Sequence, residues 1–419
     1  MTLSDQQFIT TINMSSPRNV MNVKSIVSNF LNAVLGSMHK TRARAFGACV
    51  ESVLSGNALY VTSIGRGIVT QAYEKHAIKR ADRLLSNSHL YESRLLVYKR
   101  MTTLLTSHLT QPVIHVDWSD LNKQKTLFLL RASLSFKGRA LTLYEEVHPL
   151  ETKEKATTHN DFLNRLKILL PTTCTPIIVT DAGFKRPWFK SVTSHGWHFV
   201  GRVRGKVCLS PDGNQGEWCK ALFPRSTSTP TLMKNWFMGN KLPYRVNLIL
   251  YKAKSKGRIA KTTKGLRQQS NYSRKNARRA NDPWVLVTSL PARLELAKRV
   301  VNIYSNRMQI EESFRDCKSE RFGLGMSSHG TKRLKRMSIL VLIASVGHLL
   351  LTLIGLLGER MNAHCRFQAN TIKTRAVLSY FYLGMRLYKR PGWNVAVKEW
   401  RKGIESFLIK LAKAQEATI

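Results

Sequence analysis

The spacing of apolar residues along the chain changes near residue 105. Before that point apolar residues recur at helical intervals, first between 19 and 35, which predicts a helical N-terminal region. After it the chain has short apolar runs typical of buried strands, over 112–118, 126–136, 140–147 and 176–181. A helical pattern over 160–170 precedes the last run, and Lys137-Gly138-Arg139 predicts a hairpin turn between the second and third runs. This order predicts an α/β fold with a mixed sheet.

A second group of strand-like runs surrounds a strongly basic segment. The runs 244–251 and 284–290 flank residues 252–279, which include eleven lysines and arginines, and no Asp or Glu occurs from 218 to 281. We expect an antiparallel insertion with a long basic loop that contacts phosphate groups. Four cations of this loop are candidates for these phosphate contacts: Lys252, Lys254, Lys256 and Arg258. A solvated loop without a ligand is the alternative.

The pattern over 291–319 predicts one long helix with a polar stripe beside an apolar one. The polar stripe consists of residues three or four positions apart: Tyr304, Arg307, Glu311, Arg315 and Lys318. On a solvated helix these side chains would form ordinary ion pairs, which is the alternative to a functional role. The next run, 338–357, has 20 residues without a formal charge, and the polar residues that interrupt it favour a buried core helix over a membrane span.

The charge of the chain narrows the range of its partners. The 419 residues include 67 Lys and Arg but 25 Asp and Glu, so the formal net charge is +42. So many positive charges repel one another in a compact protein. A polyanion, usually nucleic acid, is therefore the expected partner. With 43% hydrophobic residues the chain can bury a core, which excludes wholesale disorder. The 6 cysteines lack Cys-x-x-Cys spacing, which excludes zinc fingers and fits a cytoplasmic protein.

The N-terminal region contains a candidate DNA-binding element. A short helical segment, a glycine-containing turn and a basic helix resemble a helix-turn-helix. The basic helix would direct four cations toward DNA: Lys75, Lys79, Arg80 and Arg83. A solvated basic helix face is the alternative interpretation.

Three acidic residues are candidates for catalysis. Asp117 in VIHVDWSD and Asp181 in IIVTDAGF each end a buried-type strand run. Ligands of α/β proteins lie at strand ends, although a single Asp there is more often a cap. Glu311 is the third acid, and it lies in the polar stripe among cations suited to phosphate groups. Its neighbour Glu312 is about 100° further around a helix and leaves that stripe.

These segments resemble the DDE motifs of bacterial cut-and-paste transposases. The segment YSNRMQIEESFRDCK matches the Tyr-x2-Arg-x3-Glu-x6-Lys signature of the insertion-sequence-four family through Tyr304, Arg307, Glu311 and Lys318. The resemblance covers roughly residues 50–385.

The resemblance implies a ribonuclease-H-like mixed sheet with a β-rich insertion, preceded by a helical DNA-binding domain and followed by a helical C-terminal region. We expect a DNA-end-binding domain at 1–105, a catalytic domain at 106–370 with the insertion at about 200–290, and a C-terminal candidate for dimerisation at 371–419.

The resemblance also implies a metal site and a set of DNA contacts. Two Mg²⁺ ions are expected on Asp117, Asp181 and Glu311, with Asp117 bridging them. Mn²⁺ is expected to substitute for Mg²⁺ at this site. Tyr304, Arg307 and Lys318 would hold phosphate groups near the scissile bond with help from Arg315. Trp284 would stack on a base flipped out of the duplex, although core packing is the alternative for this side chain.

The implied function is transposition of DNA. The enzyme would bind the ends of its element, cut them by hydrolysis and a hairpin intermediate, and join the 3′-hydroxyl groups to target DNA. The implied partners are double-stranded DNA and a second copy of the chain in a synaptic complex, at the bacterial nucleoid and without a membrane. A metal-dependent nuclease without strand transfer and a non-catalytic DNA-binding regulator are the alternatives.

Overall fold

The chain forms two compact units, and each of them combines two segments of the sequence. The computed structural model describes residues 20–254, 266–372, 374–390 and 392–418. The first unit combines Met1–Cys174 with Met308–Ala417, and the second combines Thr175–Arg307 with Thr418–Ile419. This division differs from the three predicted domains, because the predicted N-terminal and C-terminal regions both belong to the first unit.

The first stretch of the first unit is helical and then forms antiparallel strands. Its elements are β1 (Val20–Asn22), α1 (Val23–Leu35), α2 (Lys40–Leu54), α3 (Val61–Arg66), α4 (Glu74–Leu85), α5 (Ser88–Thr106), β2 (Val113–Asp120), β3 (Leu127–Phe136), β4 (Arg139–Pro149) and α6 (Ala156–Leu169). The helical N-terminal region and the three strand runs are therefore confirmed, and each of these strands lies within about two residues of its predicted bounds.

The second unit is rich in strands, as expected for the insertion. Its elements are β5 (Ile177–Thr180), α7 (Arg186–Ser194), β6 (His198–Val203), β7 (Cys208–Ser210), β8 (Glu217–Trp218), β9 (Thr231–Met238), β10 (Tyr244–Tyr251), α8 (Asn271–Ala280), β11 (Trp284–Thr288) and α9 (Leu296–Ser305). Strand β5 pairs with β6 in parallel, and β6, β11, β10, β9, β7 and β8 follow as antiparallel neighbours.

The chain returns to the first unit at residue 308. The elements of this second stretch are α10 (Met308–Lys318), α11 (Leu334–Arg360), α12 (Tyr380–Tyr388), β12 (Asn394–Ala396) and α13 (Val397–Glu416). Strand β12 pairs with β1, which joins the two stretches of the first unit.

Three predicted elements are wrong in their extent. The predicted long helix 291–319 is two helices, because α9 ends at Ser305 and α10 begins at Met308. The side chains of Ser305 and Asn306 both donate to the carbonyl of Asn302, which satisfies a terminal acceptor and favours ending the helix there. The predicted basic loop contains helix α8, and residues 255–265 of that loop, with Lys256 and Arg258, lie outside the described residues.

The predicted N-terminal helix begins later than expected. Residues Val20–Asn22 form a strand, and Asn19 lies outside the described residues. The Asn22 side chain then accepts a hydrogen bond from the Ser25 backbone N–H, an N-cap that starts α1.

Helix α11 is the central helix of the first unit. Among the described residues it is the one helix long and apolar enough to cross a membrane by length and composition, but its apolar window is 100% buried within the protein. Close packing against α12 requires two glycines. A Cβ atom on Gly355 would lie 1.8 Å from the Tyr380 carbonyl oxygen, and one on Gly384 would lie 1.9 Å from that of Leu351. The predicted buried helix is therefore confirmed.

A buried ion pair connects the strands of the first unit to three helices. The Arg131 guanidinium on β3 lies 2.7 Å from the Glu145 carboxylate on β4, and both side chains are 1% exposed or less. Glu145 also accepts hydrogen bonds from Tyr98 of α5 and Ser345 of α11. Arg131 donates to Ser313 of α10 at 3.3 Å. Burial lowers the pKa of Arg131, but the adjacent carboxylate outweighs this effect and the net pKa is raised.

We predict that Glu145→Gln lowers the free energy of unfolding of the first unit by about 3–5 kcal/mol, because it leaves a buried guanidinium without its counter-ion. Urea unfolding at pH 7 measures the change. Glu405→Gln, which removes an exposed carboxylate from α13 of the same unit, is the control. A Glu145→Gln protein as stable as this control would contradict the prediction.

Candidate active site

Asp117 lies on β2, at the point where the strand changes from buried to half-exposed residues. One oxygen of its carboxylate accepts a hydrogen bond from the Trp118 backbone N–H at 2.8 Å, which orients the group. Alternate residues of a strand share a face, so Asp117 and Ser119 point to one side of the layer and Trp118 to the other. Asp117 is paired in register with Arg131, and Arg131 with Glu145.

Helix α10 packs on the face of the strand layer that carries Asp117. Its Lys318 ammonium donates to the Ser119 hydroxyl at 2.7 Å, and its Asp316 carboxylate lies 2.6 Å from the Arg139 guanidinium at the start of β4. Glu311 is exposed in the first turn of this helix, where a carboxylate is favoured by the helix dipole. Within the first unit, Asp117 and Glu311 therefore belong to elements packed face to face.

Glu312 has a structural environment that differs from that of Glu311. Its carboxylate lies 2.7 Å from the Arg315 guanidinium and 3.7 Å from that of Arg139, and it is half-buried. These two contacts tie α10 to itself and to the start of β4. Arg315, which was predicted to assist DNA binding, pairs with Glu312 in this arrangement.

Lys318 is positioned against β2. Burial lowers the pKa of its ammonium group, and the nearby Asp120 carboxylate partly offsets this effect. A partly buried ammonium group is hydrated by fewer water molecules than an exposed one. It is therefore suited to a phosphate ligand, because less water must be displaced on binding.

Asp181 directly follows β5 in the second unit. One of its carboxylate oxygens accepts a hydrogen bond from the Gly183 backbone N–H at 2.8 Å. A Cβ atom at Gly183 would lie only 3.0 Å from the same oxygen, so glycine allows the backbone to approach the carboxylate closely. Asp181 is half-exposed at the end of a buried strand, as the sequence predicted.

Tyr304 is the centre of an aromatic and cationic cluster in the second unit. Its ring packs edge-on against Trp284 at 4.9 Å between centroids, and the Arg307 guanidinium lies 5.9 Å from the ring. Burial raises the pKa of the Tyr304 phenol, although Arg307 and Arg202 oppose this shift, and the phenol is neutral at pH 7. Trp284 is half-buried, so one part of the indole packs and another part reaches solvent.

Two arginines of this cluster were not assigned a role from the sequence. Arg202 on β6 donates to the backbone carbonyls of Asp282 and Pro283 at 3.1 Å, and Arg204 donates to that of Arg279 at 2.8 Å. Burial lowers the pKa of Arg202, and Tyr304 opposes the shift. A charged residue inside a short apolar strand, as in HFVGRV, was the signal that could have indicated a buried role.

Of the remaining predicted DNA contacts that the structure describes, five are exposed on their units. Lys75, Lys79 and Arg83 are exposed on α4, and Lys252 and Lys254 are exposed after β10. Arg80 differs, because it is half-buried and donates to the backbone carbonyl of Arg44 at 3.0 Å.

The three candidate acids are divided between the units, two in the first and one in the second. Within the described ranges no group of three or more His, Cys, Asp or Glu side chains is arranged to hold a metal ion. The donor chemistry nevertheless fits a hard divalent cation, because Asp117 and Asp181 are carboxylates oriented by backbone N–H groups and Glu311 is exposed.

Comparison with protein families identifies the class of protein. The family model described as "Transposase DDE domain" matches residues 108–346, more than half of the chain. No significant match was found among curated proteins. The chain belongs to the DDE transposase domain family, and the mixed α/β fold fits the ribonuclease-H-like fold of that family. The predicted class of enzyme, with DNA as substrate and a general family requirement for divalent metal ions, is thereby confirmed.

We predict that His159 makes the first unit sensitive to acid. Burial, with a smaller contribution from His148, lowers the pKa of His159 to about 4, and its neutral ring accepts a hydrogen bond from the Trp118 indole at 3.2 Å. Because the unfolded residue titrates near pH 6.5, stability is full above that pH and falls as the pH decreases toward 4. Protonation of this residue should lower the free energy of unfolding of the first unit by about 2–3 kcal/mol between pH 6.5 and 4.5.

Urea unfolding of the original protein and of His159→Gln at both pH values tests this prediction. Glutamine can accept a hydrogen bond from the indole N–H but does not titrate. The free energy of unfolding of the variant should therefore fall less on acidification, by about the 2–3 kcal/mol assigned to His159. An equal loss in the two proteins would refute the assignment.

Proposed function

We propose that this DDE transposase is a member of the insertion-sequence-four family, similar to the transposase of insertion sequence ten, and that it excises its element and joins it to target DNA. The full spacing of the signature Tyr304, Arg307, Glu311 and Lys318 supports the family assignment. The packing of α10 on the Asp117 face of the strands, with Lys318 bonded to Ser119, carries the proposal for the site.

Asp117, Asp181 and Glu311 are the proposed ligands and would hold two Mg²⁺ ions. Such ions, when bound, supply an activated oxygen nucleophile and neutralise the charge of the leaving oxygen. The backbone N–H groups of Trp118 and Gly183 keep two of these carboxylates oriented, so that little rearrangement of these side chains is needed. Glu312 is not proposed as a ligand, because two arginines already hold its carboxylate.

The cations and aromatic rings of the signature would position the DNA. The neutral Tyr304 phenol can donate to a phosphate oxygen, and Arg307 and Lys318 add charge-assisted bonds. Contacts of this type fix the register of the duplex without reading its sequence. The half-exposed Trp284 is suited to stack on an unpaired base, since edge-to-face contacts with Tyr304 and Tyr251 hold the indole in place.

The proposed reaction has four steps. Water cuts one strand at the element end. The 3′-hydroxyl released then attacks a phosphodiester bond of the opposite strand, which breaks that bond, closes a hairpin on the element end and releases the flanking DNA. A second water opens the hairpin, and the 3′-hydroxyl then attacks target DNA. Two protomers would act together on two ends, and the net charge of +42 favours their meeting on DNA rather than in its absence.

We predict that Glu311→Gln lowers the rate of end cleavage by about a thousandfold or more, because it removes a proposed metal ligand. Glu312→Gln is the matched control, since it neutralises the adjacent carboxylate and loses only partly exposed ion pairs, and it should retain cleavage within about fivefold. Single-turnover cleavage of labelled element-end DNA with Mg²⁺ measures both. The reverse order of these two effects would assign the catalytic carboxylate to Glu312.

We predict that removal of divalent ions abolishes cleavage and joining but leaves DNA binding within about threefold, because the proposed phosphate contacts are cationic side chains. Binding by mobility shift and product formation on gels are compared in EDTA, Mg²⁺ and Mn²⁺. A protein that cleaves in Mg²⁺ but never yields joined product would be a nuclease. A protein that binds but yields no product with either ion would be a non-catalytic regulator.

A further inference from the structure

Arg131 contacts helix α10 at two residues that are one helical turn apart. Its guanidinium donates to the Ser313 hydroxyl at 3.3 Å and to the Cys317 sulfur at 3.7 Å. Residues four positions apart are neighbours on a helix surface, so these contacts lie along one line on α10. The Nε atom of Arg131 is bonded to Glu145, which fixes the guanidinium on the strand side.

Arg139 repeats this arrangement at the adjacent pair of residues on α10. Its guanidinium lies 2.6 Å from the Asp316 carboxylate and 3.7 Å from that of Glu312, and these two acids are again one turn apart. The contact with Asp316 is the closer one, and the Asp316 side chain is 8% exposed. A planar guanidinium presents its N–H donors in a rigid fork, so it holds an acceptor in a fixed direction, whereas an ammonium group does not.

The Asp316 carboxylate has a second neighbour, which belongs to α11. The Nε2 atom of His348 lies 3.5 Å from the same carboxylate oxygen that Arg139 contacts, and His348 is buried. Its ring stacks on Phe381 of α12, with 4.9 Å between the centroids. Asp316 is therefore located between β4 and α11, and a rotation of α10 about its axis would change both distances.

The main chain at Asp316 is also held in place. The Leu324 backbone N–H donates to the Asp316 carbonyl at 2.8 Å. A Cβ atom at Gly323 would lie 2.1 Å from the same carbonyl oxygen, so only glycine permits this approach. The segment that follows α10 therefore folds back onto the helix at Asp316, and both the side chain and the main chain of this residue are fixed.

The rotation of α10 about its axis determines where the Glu311 carboxylate points. Glu311 is exposed and lies about 140° around the helix from Asp316. Because a helix with its side chains is about 10–12 Å wide, a rotation of about 20° would move the end of the Glu311 side chain by roughly 2 Å. A misplacement of about 1 Å can cost on the order of a hundredfold in rate. The contacts of Asp316 therefore control the position of a candidate metal ligand on another side of the helix.

We propose that Asp316 is a positioning residue of this transposase, which together with Arg139 sets the rotation of α10 and holds Glu311 in the direction required of a metal ligand. This inference rests on the proposed function, in which Glu311 is such a ligand. The Arg139 side chain is half-buried, so its pair with Asp316 contributes less to stability than the fully buried pair of Arg131 and Glu145. Loss of the Arg139–Asp316 pair should therefore affect the site more than the stability of the fold.

Two variants of the full-length protein test the inference. Asp316→Asn keeps the shape of the side chain and removes its charge, whereas Arg139→Lys keeps a charge and loses the fork. Each should lower the single-turnover rate of element-end cleavage by about tenfold or more, and each should raise the Mg²⁺ concentration for half-maximal rate by about tenfold. Affinity for the same DNA in EDTA, measured by mobility shift, should stay within about threefold, because neither residue is a proposed phosphate contact.

The double variant shows whether the two residues act through one contact. If they do, it should cleave no more slowly than the slower single variant, because the second substitution removes nothing further. Glu359→Gln is the matched control, since it removes a half-buried carboxylate that pairs α11 with Lys410 of α13. This control should keep the original rate and the original Mg²⁺ requirement.

Binding of Mn²⁺ gives a readout that does not depend on turnover. The electron paramagnetic resonance signal of free Mn²⁺ is followed as protein on element-end DNA is titrated, with the signal for DNA alone subtracted. Asp316→Asn and Arg139→Lys should weaken this binding by about tenfold, and Glu359→Gln should leave it unchanged. Thermal melting of each variant is recorded, and Arg139→Lys provides the comparison if Asp316→Asn does not fold.

Folded variants that keep the original rate and the original Mn²⁺ affinity would overturn the inference. A slower rate and a lower melting temperature, with unchanged requirements for Mg²⁺ and Mn²⁺, would also overturn it, because Asp316 would then support the fold alone. If the original protein bound Mn²⁺ but did not cleave, the proposed function would fail, while the Mn²⁺ comparison would still decide the role of Asp316. An original protein that neither cleaved nor bound Mn²⁺ would refute both.

Discussion

The buried pair of Arg131 and Glu145 is the constraint on which the geometry of the first unit depends. Neither charge can be left alone in the interior, so each must keep its partner and fill its remaining hydrogen bonds. Those bonds reach α5, α10 and α11. The helix that carries Glu311 is therefore held against the strands that carry Asp117 by a polar network with directional requirements, which apolar packing alone would not impose.

Much of the fold could be predicted from the sequence because apolar spacing reports burial directly. The runs that became β2, β3 and β10 are continuous or alternating, and the fully apolar run of α11 has no polar face to present to solvent. The division at residues 305–308 could not be predicted, because the apolar and polar stripes continue at helical spacing across it. The end of α9 depends on the side chains of Ser305 and Asn306, which donate hydrogen bonds to a backbone carbonyl and so compete with the hydrogen bonds of a continuing helix. The spacing of apolar residues carries no information about such bonds.

The positions of the candidate acids on their strands and helix could be predicted to a similar degree. Acids at strand ends and cations at helical spacing form patterns that can be recognised in a basic sequence. Arg202 and Arg204 belong to no such pattern and cannot be distinguished from the many other arginines and lysines. The structure separates these cations by their partners. Several arginines, including Arg80, Arg202 and Arg204, donate to backbone carbonyls, a task suited to the planar guanidinium. The exposed lysines of α4 and of the segment after β10 keep hydrated ammonium groups. Phosphate oxygens can replace the water molecules around these groups.

The discontinuity of the first unit has a consequence for biosynthesis. Arg131 and Glu145 emerge from the ribosome long before Ser313 and Ser345, with Thr175–Arg307 of the second unit translated between them. At about 5–20 residues per second, the delay is on the order of 10–40 seconds. During that interval the nascent chain holds a charged pair whose permanent surroundings do not yet exist.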